Sequence, residues 1–156
     1  MNMINTDSDA RLQRFRVAQD GGNPSPYEQA IAELQEGRKT THWIWFVLPQ
    51  LRGLGHSPTA KHFGIADLCE ARAYLADDLL SKRLEQVIGI ISVQLEQPNQ
   101  TLSNLMGSDL DANKTISSLT LFEAAGLVSA TNLLDQMSQR CQSTIAYLSK
   151  SSIQAS

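Results

Sequence analysis

The sequence predicts an all-α protein, built as a single compact multi-helix domain with short connections. Most segments carry residues that start or stop helices, strand-like alternation is scarce, and no shift in composition marks a second domain. The chain of 156 residues is 42% hydrophobic and 19% charged, which is typical of a protein with one packed core. We expect the domain to span residues 1–150 and residues 151–156 to form a disordered polar tail.

The first two helices are marked by their ends. Asp7–Gln19 has apolar residues on roughly one side and is followed by two glycines, which predicts a helix that stops there. The second helix begins at Pro26. Ser25 can cap it, Glu28 completes a capping box, and Gly37 supplies a left-handed stop.

The segment WIWFVL, residues 43–48, is an unbroken run of large apolar residues. Such a run fits either a buried strand or a buried helix. The helical neighbours and the unpaired edges that a lone strand would leave favour a helix. We expect Thr41 to cap two turns that Pro49 ends, and a helix that is apolar all round must be buried on most sides.

Capping residues and apolar periodicity predict the remaining helices. They are a short helix after Ser57, a helix after Asp67, a long amphipathic helix over 78–97, one turn over 101–107, and helices over 109–126, 128–137 and 138–148. The 78–97 helix carries a broad apolar face and is expected to be the central one.

Charge and composition argue against several classes of function. A net charge of −3 and a pI near 5.5 disfavour nucleic-acid binding. No apolar run is long enough to span a bilayer or to form a secretion signal, so we expect no membrane contact and a cytoplasmic location. Cys69 and Cys141 lack paired spacing and are interpreted as small buried hydrophobes. The three histidines lack the spacing of metal ligands, so we expect no metal and no cofactor.

Positive charge, aromatic rings and two glycines are concentrated between residues 38 and 61, where they could hold a phosphate or a carboxylate. The candidate ligand-binding residues are Arg38, Lys39, His42, Trp43, Trp45, Gln50, Arg52, His56 and Lys61. The alternatives remain open: both tryptophans could be core anchors, and the 49–62 segment could be a connection with solvated charges.

Catalytic candidates are fewer. His42 could carry a proton near neutral pH, or it could bond a backbone carbonyl at a helix start. Lys114 and Ser118 are one turn apart on a predicted helix, and Ser117 is three residues from Lys114. A Ser/Lys nucleophile is conceivable there, although hydroxyls that bond back into their own helix are commoner.

Four motifs carry a resemblance: His42–Gln50 (HWIWFVLPQ), Gly53–Gly55 (GLG), Ile65–Leu75 (IADLCEARAYL) and Lys114–Phe122 (KTISSLTLF). Through them the sequence resembles a bacterial family of small proteins of unknown function, often mislabelled calpastatin in genome annotation. The resemblance covers about residues 11–125. It implies an all-α, single-domain fold and brings no established activity.

Three functions follow as hypotheses. The first is a cytoplasmic helical protein that binds a small anionic ligand, phosphorylated or nucleotide-like, in the His42–Lys61 region. The second is an enzyme acting on such a ligand, with His42 as acid/base. The third is a protein-interaction module without catalysis, whose partner the sequence leaves unknown.

Overall fold

The computed structural model describes the backbone of residues 3–155 and the side chains of residues 9–151. Its helices are α1 (Met3–Asp20), α2 (Pro26–Glu36), α3 (Ile44–Val47), α4 (Pro58–Phe63), α5 (Leu68–Ala76), α6 (Asp78–Leu95), α7 (Leu102–Met106), α8 (Asp109–Ala124), α9 (Val128–Met137) and α10 (Gln142–Ala155). A 3₁₀ turn, Arg52–Leu54, lies between α3 and α4. Residues 3–155 contain no strand, apart from an isolated parallel bridge between Leu51 and Ile65. The all-α prediction is confirmed.

Short-range capping sets most helix boundaries. At α2 the Ser25 hydroxyl accepts the Glu28 N–H at 3.1 Å, the Glu28 carboxylate accepts the Ser25 N–H, and Gly37 ends the helix at φ 96°. Side chains cap five other helices in the same way, namely those of Ser57, Asp67, Asp77, Thr101 and Ser108. These boundaries could be predicted because the cap and the N–H that it accepts lie only three residues apart.

The helix at α3 is shorter than predicted, and the expected Thr41 cap is wrong. Only Ile44–Val47 is helical, and Trp43 occupies the cap position without a side-chain cap bond. The Thr41 backbone N–H and hydroxyl instead donate to the carboxylate of Glu33 on α2. That carboxylate also accepts the Thr40 N–H and the Trp43 indole N–H, and the helix starts only after Trp43.

The centre of the core is α8 rather than α6, so the expectation for the 78–97 helix is wrong. Every side chain from Thr115 to Phe122 is buried, whereas α6 buries one face and exposes Val93. Two of its buried hydroxyls bond back into the helix: Thr115 donates to the Asp111 carbonyl at 2.9 Å and Thr120 to the Ile116 carbonyl at 2.8 Å. The expected back-bonding is not found at the two serines, because Ser117 bonds Thr144 and the Ser118 hydroxyl has no hydrogen-bond partner among the described residues.

The chain ends are both helical where the structure describes them. The backbone of α10 continues to Ala155, through most of the segment expected to be a tail, while side chains beyond residue 151 and Ser156 itself lie outside the described residues. The division of the chain at residue 150 stays a prediction. None of the described helices has the length and apolar character needed to cross a membrane.

The two cysteines are not the buried hydrophobes that we expected. Cys69 is exposed and Cys141 is half-buried, and both thiols are free. Cys69 lies on α5, where Glu70, Ala71 and Tyr74 face the interior, so its position on the helix turns it to solvent.

Candidate functional site

A pocket of about 280 Å³ lies where α3, the 3₁₀ turn and α4 meet the start of α8. Its lining is mostly apolar and includes Trp45, Leu51, Leu54, Ala60, Phe63 and Leu110. Four polar side chains join them, those of Gln50, His56, Ser57 and Lys114. A concave, largely apolar site with a few polar groups is the usual form of a small-molecule site.

Close backbone packing builds the floor of this pocket. The Ile65 N–H donates to the Gln50 carbonyl at 2.7 Å, and the Arg52 N–H donates to the Ile65 carbonyl at 2.8 Å. Gly64 lies against this pair of bonds, and a Cβ there would come within 2.4 Å of the Arg52 Cα. Because backbone atoms cannot move aside cheaply, this approach requires glycine.

The floor is tied to the rest of the domain by Arg14 of α1. Its guanidinium donates to the Gly64 carbonyl at 2.9 Å and to the Glu70 carboxylate at 3.1 Å. Burial would raise the pKa of Glu70, but the Arg14 hydrogen bond and charge and the Ala66 N–H outweigh it and lower the pKa. A buried, ionised carboxylate therefore fixes α1, the end of α4 and the start of α5 together.

One wall of the pocket is formed by a pair of lysines that share Asp111. Lys114 Nζ lies 4.1 Å from the centre of the Trp45 ring and 3.3 Å from the Asp111 carboxylate. The same carboxylate accepts from Lys39 Nζ at 2.8 Å, and burial, which would raise the pKa of Asp111, is outweighed by the two lysines, which lower it. Two ammonium groups and one carboxylate leave a net charge of +1 at this wall. Lys39 is only 8% exposed, whereas Lys114 lines the pocket.

Trp43 is held away from the pocket by a second buried carboxylate. Glu33 accepts the Thr40 N–H at 2.7 Å, the Thr41 N–H at 3.0 Å and the Trp43 indole N–H at 2.9 Å. Burial would raise the pKa of Glu33, but these bonds and the Thr41 hydroxyl lower it to about 2. Trp43 is 1% exposed, so it is a core anchor and has no free face for stacking.

The structure brings together some of the predicted site residues and separates the rest. Trp45, Gln50, His56 and Lys114 line one pocket. Lys39 and Trp43 are buried beside it, in the contacts described above. Four other candidates are exposed and do not line it, namely Arg38, His42, Arg52 and Lys61. Ser117 and Ser118 are buried away from the pocket, where Ser117 bonds Thr144 of α10 at 3.1 Å.

Sequence reasoning missed Leu54, Phe63, Leu110 and Asp111 as parts of this region. Asp111 lies three residues before Lys114 on the same helix, and this spacing is a recognised helical pairing signal. Leu110 is 66% exposed at the pocket rim. No local sequence pattern distinguishes Leu110 from any other surface leucine. Apart from Lys114, the residues that line the pocket with it come from positions 45–64.

The polar side chains of the pocket differ in the bonds that they already make. No group of three or more metal-ligating side chains occurs among the residues that the structure describes. The Ser57 hydroxyl is used as the cap of α4. Lys114 offers a cation, and Gln50 has a buried amide nitrogen that lacks a hydrogen-bond partner among the described residues. Both are donors suited to an oxygen-bearing ligand.

Comparison with known proteins identifies relatives of the same fold. A family model described as "Protein of unknown function (DUF1810)" matches residues 9–148, which extends the resemblance through α9 into α10. A solved structure, that of the conserved hypothetical protein Rv1873 from Mycobacterium tuberculosis, is 38% identical with a TM-score of 0.78, over 88% of this chain and 96% of that chain. A comparison with curated proteins gives no match. Neither description names an activity.

Proposed function

The chain belongs to the DUF1810 family of proteins of unknown function, and from the chemistry of its pocket we propose that it binds a small organic anion beside Lys114. The observation that carries this proposal is the wall at which Lys114 lies over Trp45 and shares Asp111 with a second lysine. The surplus positive charge there faces a mostly apolar pocket, where a charge is screened less than at an open surface.

The arrangement of donors supports an anion more than a neutral ligand. A lysine ammonium has three N–H donors, and Asp111 uses one of those of Lys114. The remaining donors can pair with an oxygen anion. The unpartnered Gln50 amide nitrogen lies next to the same pocket, and leaving such a donor buried without an acceptor costs about 1–3 kcal/mol. A ligand oxygen that accepts from this amide nitrogen offsets part of that cost.

The basic residues first considered for this role contribute less. His42 and Arg38 are exposed and do not line the pocket, and the charge of Lys39 is matched by Asp111. The proposed site is therefore centred on Trp45 and Lys114. Of the candidates Arg52, His56 and Lys61, His56 is the one that lines the pocket.

Thermal denaturation with a panel of small carboxylates and phosphate esters tests the proposal. A ligand at 100 times its Kd adds about 2.7 kcal/mol of stability, which is a shift of roughly 5–10 °C in a chain of this size. We expect such a shift with at least one anion in the native protein and in Lys61→Gln, an exposed lysine outside the pocket. The shift should disappear in Lys114→Gln. A panel without any shift, or a shift that survives Lys114→Gln, contradicts the proposal.

A further inference from the structure

Resting on the proposed anion site, we infer that the ligand class is a planar aromatic monocarboxylate of about 12 non-hydrogen atoms, and not a nucleotide or a phosphate ester. Three features of the pocket support this class: its volume, the amount of charge at its wall, and the apolar character of the remaining lining.

The volume limits the size of the ligand. A protein cavity of about 150 Å³ accepts benzene, and this pocket measures about 280 Å³. The ratio indicates a ligand about twice the size of benzene, such as a fused pair of rings with one small substituent. A nucleotide, with its base, ribose and phosphate, is about twice as large again, so about half of it would lie outside the pocket.

The charge at the wall matches a single negative charge. Among the described side chains that line the pocket, Lys114 is the only lysine or arginine. Asp111 lies 3.3 Å behind it, and Lys39 balances that carboxylate from the buried side. A phosphate monoester carries a charge of about −1.5 to −2 at neutral pH, so part of its charge would stay unpaired in a largely apolar site, which is costly. A carboxylate, with its single charge, is matched.

The donors also fit a carboxylate. Phosphate sites are commonly built from arginine forks or from several converging donors. Here Arg52 is exposed and outside the lining, and the cation that faces the pocket is a lysine, which acts as a point charge. Two free donors on Lys114 are enough for the two oxygens of a carboxylate.

The rest of the lining fits a flat hydrocarbon ring. Trp45 and Phe63 supply aromatic surface, while Leu51, Leu54 and Leu110 supply aliphatic surface. An aromatic ring without polar substituents can pack against these five side chains without burying a polar group that lacks a hydrogen-bond partner. A sugar or a polyol would bury several hydroxyls against leucine side chains without partners.

Isothermal titration calorimetry of the native protein with four compounds tests the inference. Naphthoate has the expected size and charge, naphthamide is its neutral counterpart, naphthyl phosphate places a dianion on the same ring, and AMP represents nucleotides. We expect naphthoate to bind at least about tenfold more tightly than naphthamide, since a hydrogen bond to a charged group contributes at least that factor. We expect it also to bind more tightly than naphthyl phosphate, whose second charge stays unpaired, and than AMP, which is too large for the pocket. Lys114→Gln should reduce naphthoate affinity about tenfold or more and leave naphthamide unchanged, while Lys61→Gln changes neither.

The possible results distinguish the carboxylate inference from the proposed anion site on which it rests. If naphthyl phosphate or AMP binds more tightly than naphthoate and loses that affinity in Lys114→Gln, the anion site stands and the carboxylate inference is wrong. If naphthamide binds as tightly as naphthoate, both are wrong. If none of the four compounds binds, the carboxylate inference is wrong, and the wider panel of anions decides the proposed function. The comparison of naphthoate with naphthamide uses the native protein alone, so the answer does not depend on the folding of a variant.

Discussion

Replacing Glu33 with glutamine removes a buried negative charge with little change of shape. The Oε1 atom of Glu33 accepts three N–H groups, those of Thr40, Thr41 and the Trp43 indole. A glutamine oxygen in the same place keeps these three acceptor contacts as neutral hydrogen bonds. Glu33→Gln therefore resembles the native protein with Glu33 protonated, and it measures the value of the charge alone.

The magnitude follows from the pKa. The pKa of Glu33 is about 2 in the folded protein, against an ordinary value of 4.5, and the side chain is 9% exposed. This difference corresponds to about 3 kcal/mol of stability at pH 7. Because the folded-state pKa is the lower one, the contribution is fully present above the unfolded value. It is lost as the pH falls toward 2, with about 2 kcal/mol lost between pH 7 and pH 3.

Urea denaturation at pH 7, 5 and 3, followed by circular dichroism, measures this effect. We expect Glu33→Gln to be less stable than the native protein by about 3 kcal/mol at pH 7 and by about 1 kcal/mol at pH 3. Glu36→Gln is the control, since Glu36 is exposed on the same helix and should change stability by no more than about 0.5 kcal/mol. A variant as stable as the native protein at pH 7, or a difference that does not shrink in acid, would refute the reasoning.

Three other substitutions, two beside the pocket and one on α6, are tested by thermal denaturation, at about 2–4 °C per kcal/mol. Gly64→Ala places a Cβ 2.4 Å from the Arg52 Cα and should cost about 1–3 kcal/mol; an unchanged melting temperature contradicts that close approach. Gly89→Ala adds a Cβ that meets no atom within 4 Å on an exposed helix position and should stabilise by about 0.5–1 kcal/mol. Asp111→Asn leaves the 8% exposed Lys39 without its counter-charge and should cost about 3 kcal/mol; an unchanged melting temperature contradicts the buried ion pair.

Helix existence could be predicted where the signal is local. The capping box at Ser25 and Glu28 and the stop at Gly37 act within a few residues, so they carry their information in the sequence alone. The role of α8 could not be predicted in this way. Its Thr115 and Thr120 hydroxyls appear polar in a periodicity analysis, yet each is bonded to its own helix and packs in the core.

The site was predicted in part, for a related reason. Trp45, Gln50 and His56 were named from local density of aromatic and polar residues, and they do line the pocket. The same density also selected Arg38 and His42, which are exposed outside it. The sequence does not show which lysine or arginine is paired with a carboxylate far away in the chain, and it does not show which one faces solvent. That depends on tertiary contacts of the kind Asp111 makes with Lys39, 72 residues away.

The two tryptophans show how the core determines the pocket. Trp43 immediately precedes α3 and Trp45 lies within it, and the two rings have different surroundings. The Glu33 carboxylate accepts the Trp43 indole N–H in the interior, whereas Trp45 is partly buried and contacts Lys114 of α8. Lys39 lies 5.2 Å from the Trp43 ring and Lys114 4.1 Å from the Trp45 ring. Since both lysines share Asp111, the buried tryptophan and the pocket tryptophan each contact a lysine that is paired with the same carboxylate.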